Sequence, residues 1–305
     1  MKKAALLTAV LILIALFWAV PAFPGTIPSS IVPEGARWIA HLDMEKFVAT
    51  KLFEYLEKGG NFEIKGRDLK RWLQMEPKDV SSLTVFGLGP GDDQIVFAVA
   101  GKLDKAGIIA LVEADKEHQK TPFGSYTIYS SGSDEYGAFV TDDLLVFSEG
   151  RAAIEKVLET AGGKTKNFTG SALSAALKEV PAGAFLSGVL PDLSGLGKEI
   201  KQSKVLEKAS GLFFLAQEKQ DTLLLRLQVT ADTPDNAKNM FDVVQGFIAM
   251  GKLGGNEGDM ARIASLLEGL QVKQDGKVLR IDFERPSQEI AGLISHGRGI
   301  AGFLD

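Results

Sequence analysis

The succession of apolar and polar runs is the same over residues 36–165 and residues 166–296, and this doubling restricts the possible folds more than any other feature of the sequence. In the first unit, residues 36–42 read as a strand. Asp43 is then placed to cap a helix in which Met44, Phe47, Val48, Leu52, Tyr55 and Leu56 share one face. Residues 69–73 read as a second helical stretch. Residues 80–88 and 95–103 read as strands joined by the turn formers Gly89, Pro90, Gly91, Asp92 and Asp93. Ile95 to Ala100 is apolar on both faces, which predicts a central strand. Asp104 opens a helix with Ile108, Ile109 and Val112 inward. Three strands follow over 126–130, 136–141 and 144–148, and a helix carrying Ile154, Val157, Leu158 and Ala161 closes the unit.

The second unit repeats that order, with a strand over 182–190, a helix over 193–208, and paired strands over 211–217 and 222–231. In the last of these Leu223, Leu225, Leu227 and Val229 alternate with Arg226, Gln228 and Thr230, so one face is wet. Thr233 caps a long helix with Pro234 at its first position and a stripe of Ala237, Met240, Phe241, Val244, Phe247, Ile248 and Gly251 expected to be buried. A short helix (Met260, Ile263, Ala264, Leu267) leads to a hairpin turning at Asp275-Gly276, and a last helix with Ile290, Leu293 and Ile294 ends near His296. The expected fold class is α+β: duplicated ferredoxin-like units whose antiparallel sheet, single or double, carries helices packed on one face.

Residues 1–22 read as a Sec-type signal peptide. Lys2 and Lys3 give a positive start, Ala4 to Val20 is unbroken apolar sequence, and Ala22 supplies a small residue before Phe23. Left uncleaved, the same run is an anchor at the lower edge of what spans about 30 Å of hydrocarbon. In both cases the positive end stays inside and the remainder is delivered to the periplasm. Residues 23–35, rich in Pro, Gly and Ser, read as a linker, and residues 297–305 as a flexible tail.

The formal charge is −5, and loss of Lys2 and Lys3 with the leader makes the remainder more acidic still. That sign repels phosphate backbones, so nucleic acid is not an expected partner. With no cysteine anywhere, disulfides, thiolate metal sites, a cysteine nucleophile and a lipid-modified N-terminal cysteine are excluded together.

Chemistry-bearing residues are few. His41, His118 and His296 lack any ligand spacing. His41 and Asp43 are two apart on a strand and so point to one face, where a carboxylate beside an imidazole can orient a base or hold a metal. Asp43 is equally the cap of the next helix. The pairs Asp92-Asp93, Asp134-Glu135 and Asp142-Asp143 fall where strands turn, which accounts for them without calcium. Gly87, Gly89 and Gly91 lie between two strands with no helix opening after them, unlike a phosphate loop. Trp38, Trp72, Phe213 and Phe214 could line a groove, but large apolar groups of this kind are usually core.

Several stretches carry a resemblance. Residues 33–43 (PEGARWIAHLD), 79–87 (DVSSLTVFG), 210–217 (SGLFFLAQ) and 272–278 (VKQDGKV) resemble a group of exported bacterial proteins of unassigned function, over nearly the whole chain beyond the leader. The resemblance implies fold and location, with no activity or cofactor. The expected function is a non-catalytic binding or scaffolding module for an envelope protein or small molecule, with no cofactor and no metal. The alternatives are a hydrolase or metal-assisted enzyme centred on His41 and Asp43, and an accessory subunit that touches the membrane through an uncleaved N-terminus.

Overall fold

The computed structural model describes residues 27–59, 79–131, 135–193, 208–253 and 267–295. Within them lie strands β1 (Trp38–Asp43), β2 (Val80–Gly87), β3 (Ile95–Gly101), β4 (Gln119–Phe123), β5 (Tyr126–Ser131), β6 (Glu135–Thr141), β7 (Leu144–Ser148), β8 (Ala184–Leu190), β9 (Ala209–Lys219), β10 (Thr222–Ala231), β11 (Leu270–Asp275) and β12 (Val278–Pro286). The helices are α1 (Met44–Val48), α2 (Lys51–Lys58), α3 (Lys105–Ala114), α4 (Arg151–Ala161), α5 (Ala172–Leu177), α6 (Pro234–Leu253) and α7 (Ser287–Ser295). The leader, residues 69–73, the helix read beyond Leu193, the short helix with Met260, Trp72, Asp134, His296 and the tail lie outside the described residues.

All twelve strands join one sheet in the order β11-β12-β10-β9-β8-β1-β2-β3-β7-β6-β5-β4. Every pairing is antiparallel. The seam between the two halves is β1 against β8, with Ile39 opposite Val189 and Leu42 opposite Leu186. Outward from this seam the order is β1-β2-β3-β7-β6 on one side and β8-β9-β10-β12-β11 on the other, the first side ending in an added hairpin, β5-β4. On each side three successive strands precede a crossover helix, α3 or α6, and the chain then returns from the outside inward.

Two expectations about this architecture do not survive. A ferredoxin-like split βαβ places a strand between two parallel ones, whereas β1 and β2, like β8 and β9, are direct antiparallel neighbours. Antiparallel strands tolerate a connection of any length, so α1 and α2 can intervene between β1 and β2 without forcing a parallel crossover. Nor do the helices keep to one face. On the front, α1, α2, α3 and α7 contribute Met44, Phe47, Leu52, Ile108 and Ile290 to a cluster with Leu42, Leu83 and Leu145. Also on the front, α6 packs Ala237 and Met240 near Trp38 and Val85. On the back, α4 and α5 set Ile154, Val157, Leu158 and Leu173 against Ile39, Phe86, Val96 and Val146. The cause is the central strands: every residue of β1 is buried, so both faces need cover.

The segment read as a linker belongs partly to the fold. Ile31 and Val32 have no exposed surface. The Phe168 N–H donates to the Val32 carbonyl at 2.9 Å and that of Glu34 to Lys166 at 3.0 Å, tying this strap to the start of the second half. Another tie crosses the halves on the front: the Glu218 carboxylate of β9 accepts from the N–H groups of Lys51 and Leu52 at 2.6 and 3.3 Å, at the positive end of α2. Ser287 Oγ, opening α7, donates to the same carboxylate.

Trp38 is buried, and Phe213 and Phe214 are partly buried against the core. A Cβ on Gly87 would stand 2.1 Å from Trp38 Nε1, and one on Gly188 2.1 Å from the Phe214 ring. Each ring therefore lies flat over a neighbouring strand that only glycine allows so close.

Candidate functional site

Cross-strand pairing places Thr84, His41, Ser187, Leu215, Arg226 and Asp282 in one row over the back of six neighbouring strands. Within it His41 Nδ1 lies 2.8 Å from Thr84 Oγ1, and Arg226 donates to both oxygens of Asp282 at 2.6 and 3.1 Å. His41 and Asp43 do share this face. Both are buried, at 6% and 4% exposure. Asp43 caps α1, accepting from the Lys46 N–H at 3.1 Å, and pairs with the Lys46 ammonium at 2.8 Å.

The other sequence candidates are dispersed. His118 Nδ1 sits 2.6 Å from the Asp115 carbonyl just after α3. Asp92 and Asp93 form a single 3-10 turn, Asp142 pairs with Lys105 at 2.7 Å, and Asp143 accepts from Thr141 Oγ1. Among the described residues no three His, Asp or Glu side chains group as a metal site would require.

The concave feature of the front face lies under α3. Phe97, Phe147, Gly137 and Tyr129 form a continuous row across β3, β7, β6 and β5. The Phe97 and Phe147 rings stack at 5.1 Å between centroids, with planes 7° apart. At the third position the row has no side chain. Above it, α3 is apolar from Ala106 to Val112, yet of its residues only Ile108 is buried. Asp104 caps its start at the Gly107 N–H, 3.0 Å, and Lys105–Asp142 and Glu113–Lys120 ion pairs hold its ends. Between helix and row is a cavity of about 330 Å³, also lined by Ile109, Val112, Phe139 and Leu145. That volume is at the lower end of the ~300–1,000 Å³ of small-molecule pockets.

The cavity is polar at one end, where Ser130, Ser131, Glu135, Tyr136, Ser148 and Glu149 line it. Tyr136 pairs with Ser148 across β6 and β7, so the next residues outward, Glu135 and Glu149, come side by side. Burial, and secondarily the Glu149 charge, hold the Glu135 carboxyl above the ordinary carboxylate range. A shallower polar recess with Lys116, His118 and Arg151 adjoins it past Ser130, Ser131 and Tyr136.

Sequence reasoning singled out neither the cavity nor Gly137. One signal was present: a lone glycine inside a strand pattern marks a place where something approaches the backbone closely. Ile108, Ile109 and Val112 do turn inward as the periodicity requires, but Ile109 and Val112 line an opening instead of meeting the sheet.

Among the described residues no helix is long and apolar enough to cross a membrane. No protein-family model and no curated protein matches the chain. Among solved structures it is similar to TP0453 of Treponema: crystal form III aligns with a TM-score of 0.52 at 12% identity over 89% of this chain and 99% of that one. Crystal form I aligns at 0.48 and 12%, over 89% and 98%. What this chain shares with TP0453 is the fold, a large antiparallel sheet with helices.

Proposed function

We propose that the chain is an exported, non-catalytic binding module whose ligand is a small apolar molecule held in the cavity beneath α3. The observation that carries this reading is an apolar helix set over a sheet row that lacks a side chain at Gly137, leaving space where a core would close. Export rests on the leader over residues 1–22, and duplication on the matching strand order on either side of the β1–β8 seam. Burial of His41 and Asp43, and the capping role of Asp43, favour binding over the hydrolase alternative.

The test is calorimetric titration of the purified domain with dodecanol, alone and as Gly137→Leu. A Cβ at this position would meet Val146 O at 3.4 Å and Phe147 Cβ at 3.7 Å, ordinary contacts, so the added side chain extends into the cavity without displacing the sheet. Saturable binding by the native protein, lost in the variant at an unchanged Tm, is the expected result. Equal binding by both proteins, or none by either, removes the reading.

A further inference from the structure

We infer that the cavity takes a single-chain amphiphile ending in an ammonium group, its chain along the Phe97–Phe147–Tyr129 row and its charged end between Glu135 and Glu149. This inference rests on the cavity being a binding site and adds the class of molecule bound. The interior is apolar on both walls, so a chain loses no hydrogen bond by entering it. Both exposed carboxylates line the polar end, Glu135 at the start of β6 and Glu149 just past the end of β7, one step beyond the Tyr136–Ser148 pair.

Like charges held near one another repel, and a cation between them or protonation relieves the cost. Among the described residues neither carboxylate is in an ion pair. Of the nearby cations, Arg151 Nε donates to Glu155 at 2.8 Å and the Lys120 ammonium pairs with Glu113, while Lys116 lines the recess beyond Ser130 and Ser131. Burial first, and the Glu149 charge second, raise the Glu135 carboxyl, in keeping with two acids near one another. A ligand ammonium placed there supplies the missing charge, while a carboxylate or phosphate end adds a third negative group.

Dodecylamine, dodecanol and dodecanoate, each kept below micelle formation, are titrated into the native protein and into Glu135→Gln/Glu149→Gln. Dodecylamine is expected to bind about tenfold or more tighter than dodecanol, and dodecanoate weakest. The double variant should bring the amine down to the affinity of the alcohol, leave the alcohol unchanged, and fold with an equal or higher Tm because repulsion has been removed. Lyso-phosphatidylethanolamine as a fourth titrant separates the two sources of such a group: a lipid-type ligand keeps the preference with the phosphate attached, a free amine does not. Equal affinity for the three dodecyl probes overturns the ammonium assignment while the cavity reading stands. Tightest binding of dodecanoate also overturns it and directs attention to Lys116 and Arg151 in the adjoining recess. Failure of every probe overturns both.

Discussion

The crossover helices of the two halves occupy equivalent places and do different things. In the second half α6 runs for twenty residues. It closes on the sheet through Ala237, Met240, Phe241 and Val244, against Val229, Ala231 and Leu279. The corresponding row, Leu227, Ile281 and Val272, carries a side chain at every position, with Ile281 and Val272 packed under α6 and Leu227 38% exposed. In the first half α3 is half as long, buries only Ile108, and faces a row interrupted at Gly137. On one side of the seam the helix packs directly on the sheet, although Phe247 and Met250 of α6 stay exposed, and on the other it stands over a cavity. The comparison teaches that a shared strand order can be kept while a single strand residue and the length of one helix decide whether the layer is closed.

The largest expected effect concerns what the two sides share. Phe47 of α1 has no exposed surface and meets Phe53 of the first half at 5.6 Å and Phe185 of the second at 5.2 Å. Phe47→Ala should cost about 3–5 kcal/mol in urea denaturation, as one cooperative transition. Two separate transitions would show that the halves are independent. A smaller effect tests the contrast itself: Val272→Gly imitates in the second half the gap at Gly137. It should cost about 1–2 kcal/mol and create no dodecanol binding, because α6 still lies over the row. Gained binding would mean that helix stand-off contributes little to the cavity.

The smallest effect is at an exposed site. Lys51 and Lys58 both donate to Glu54 on α2 and hold its carboxyl down to about 2. A depressed acid contributes its stability above the unfolded value near 4.5 and loses it as pH falls toward about 2, so Glu54→Gln should flatten this part of the acid limb slightly. An identical acid limb in the variant would mean that the exposed pairs contribute nothing measurable.

Local features were legible in the sequence because local forces make them. Asp43, Asp104 and Thr233 cap helices as their positions imply. The hairpin read near Asp275-Gly276 is present with its two-residue loop one place later, at Gly276-Lys277, Gly276 taking φ 53°. Leu223 and Val229 are buried as the alternation implies, but Leu227 between them is 38% exposed. What stayed hidden depends on distances along the chain or on shape. The stripe of Ile154, Val157 and Leu158 announces a buried face without saying which side of a sheet it covers. Ile31 and Val32 were masked by neighbouring Pro, Gly and Ser, although two backbone bonds anchor the strap they sit in. The pairing of β1 with β8 has no local signature, and the cavity depends on how far α3 stands off, which periodicity cannot encode.

The β1–β8 seam bears on the order in which the molecule can assemble. Until Ala184–Leu190 has emerged and paired, β1, a strand whose every residue ends up buried, keeps one row of backbone donors and acceptors open. A half-made chain therefore presents a template that another half-made chain could join, strand to strand, in the antiparallel sense that β8 later uses. Arrival of the strand that opens the second half is what seals that edge, so the later half of the chain protects the earlier from its own copies.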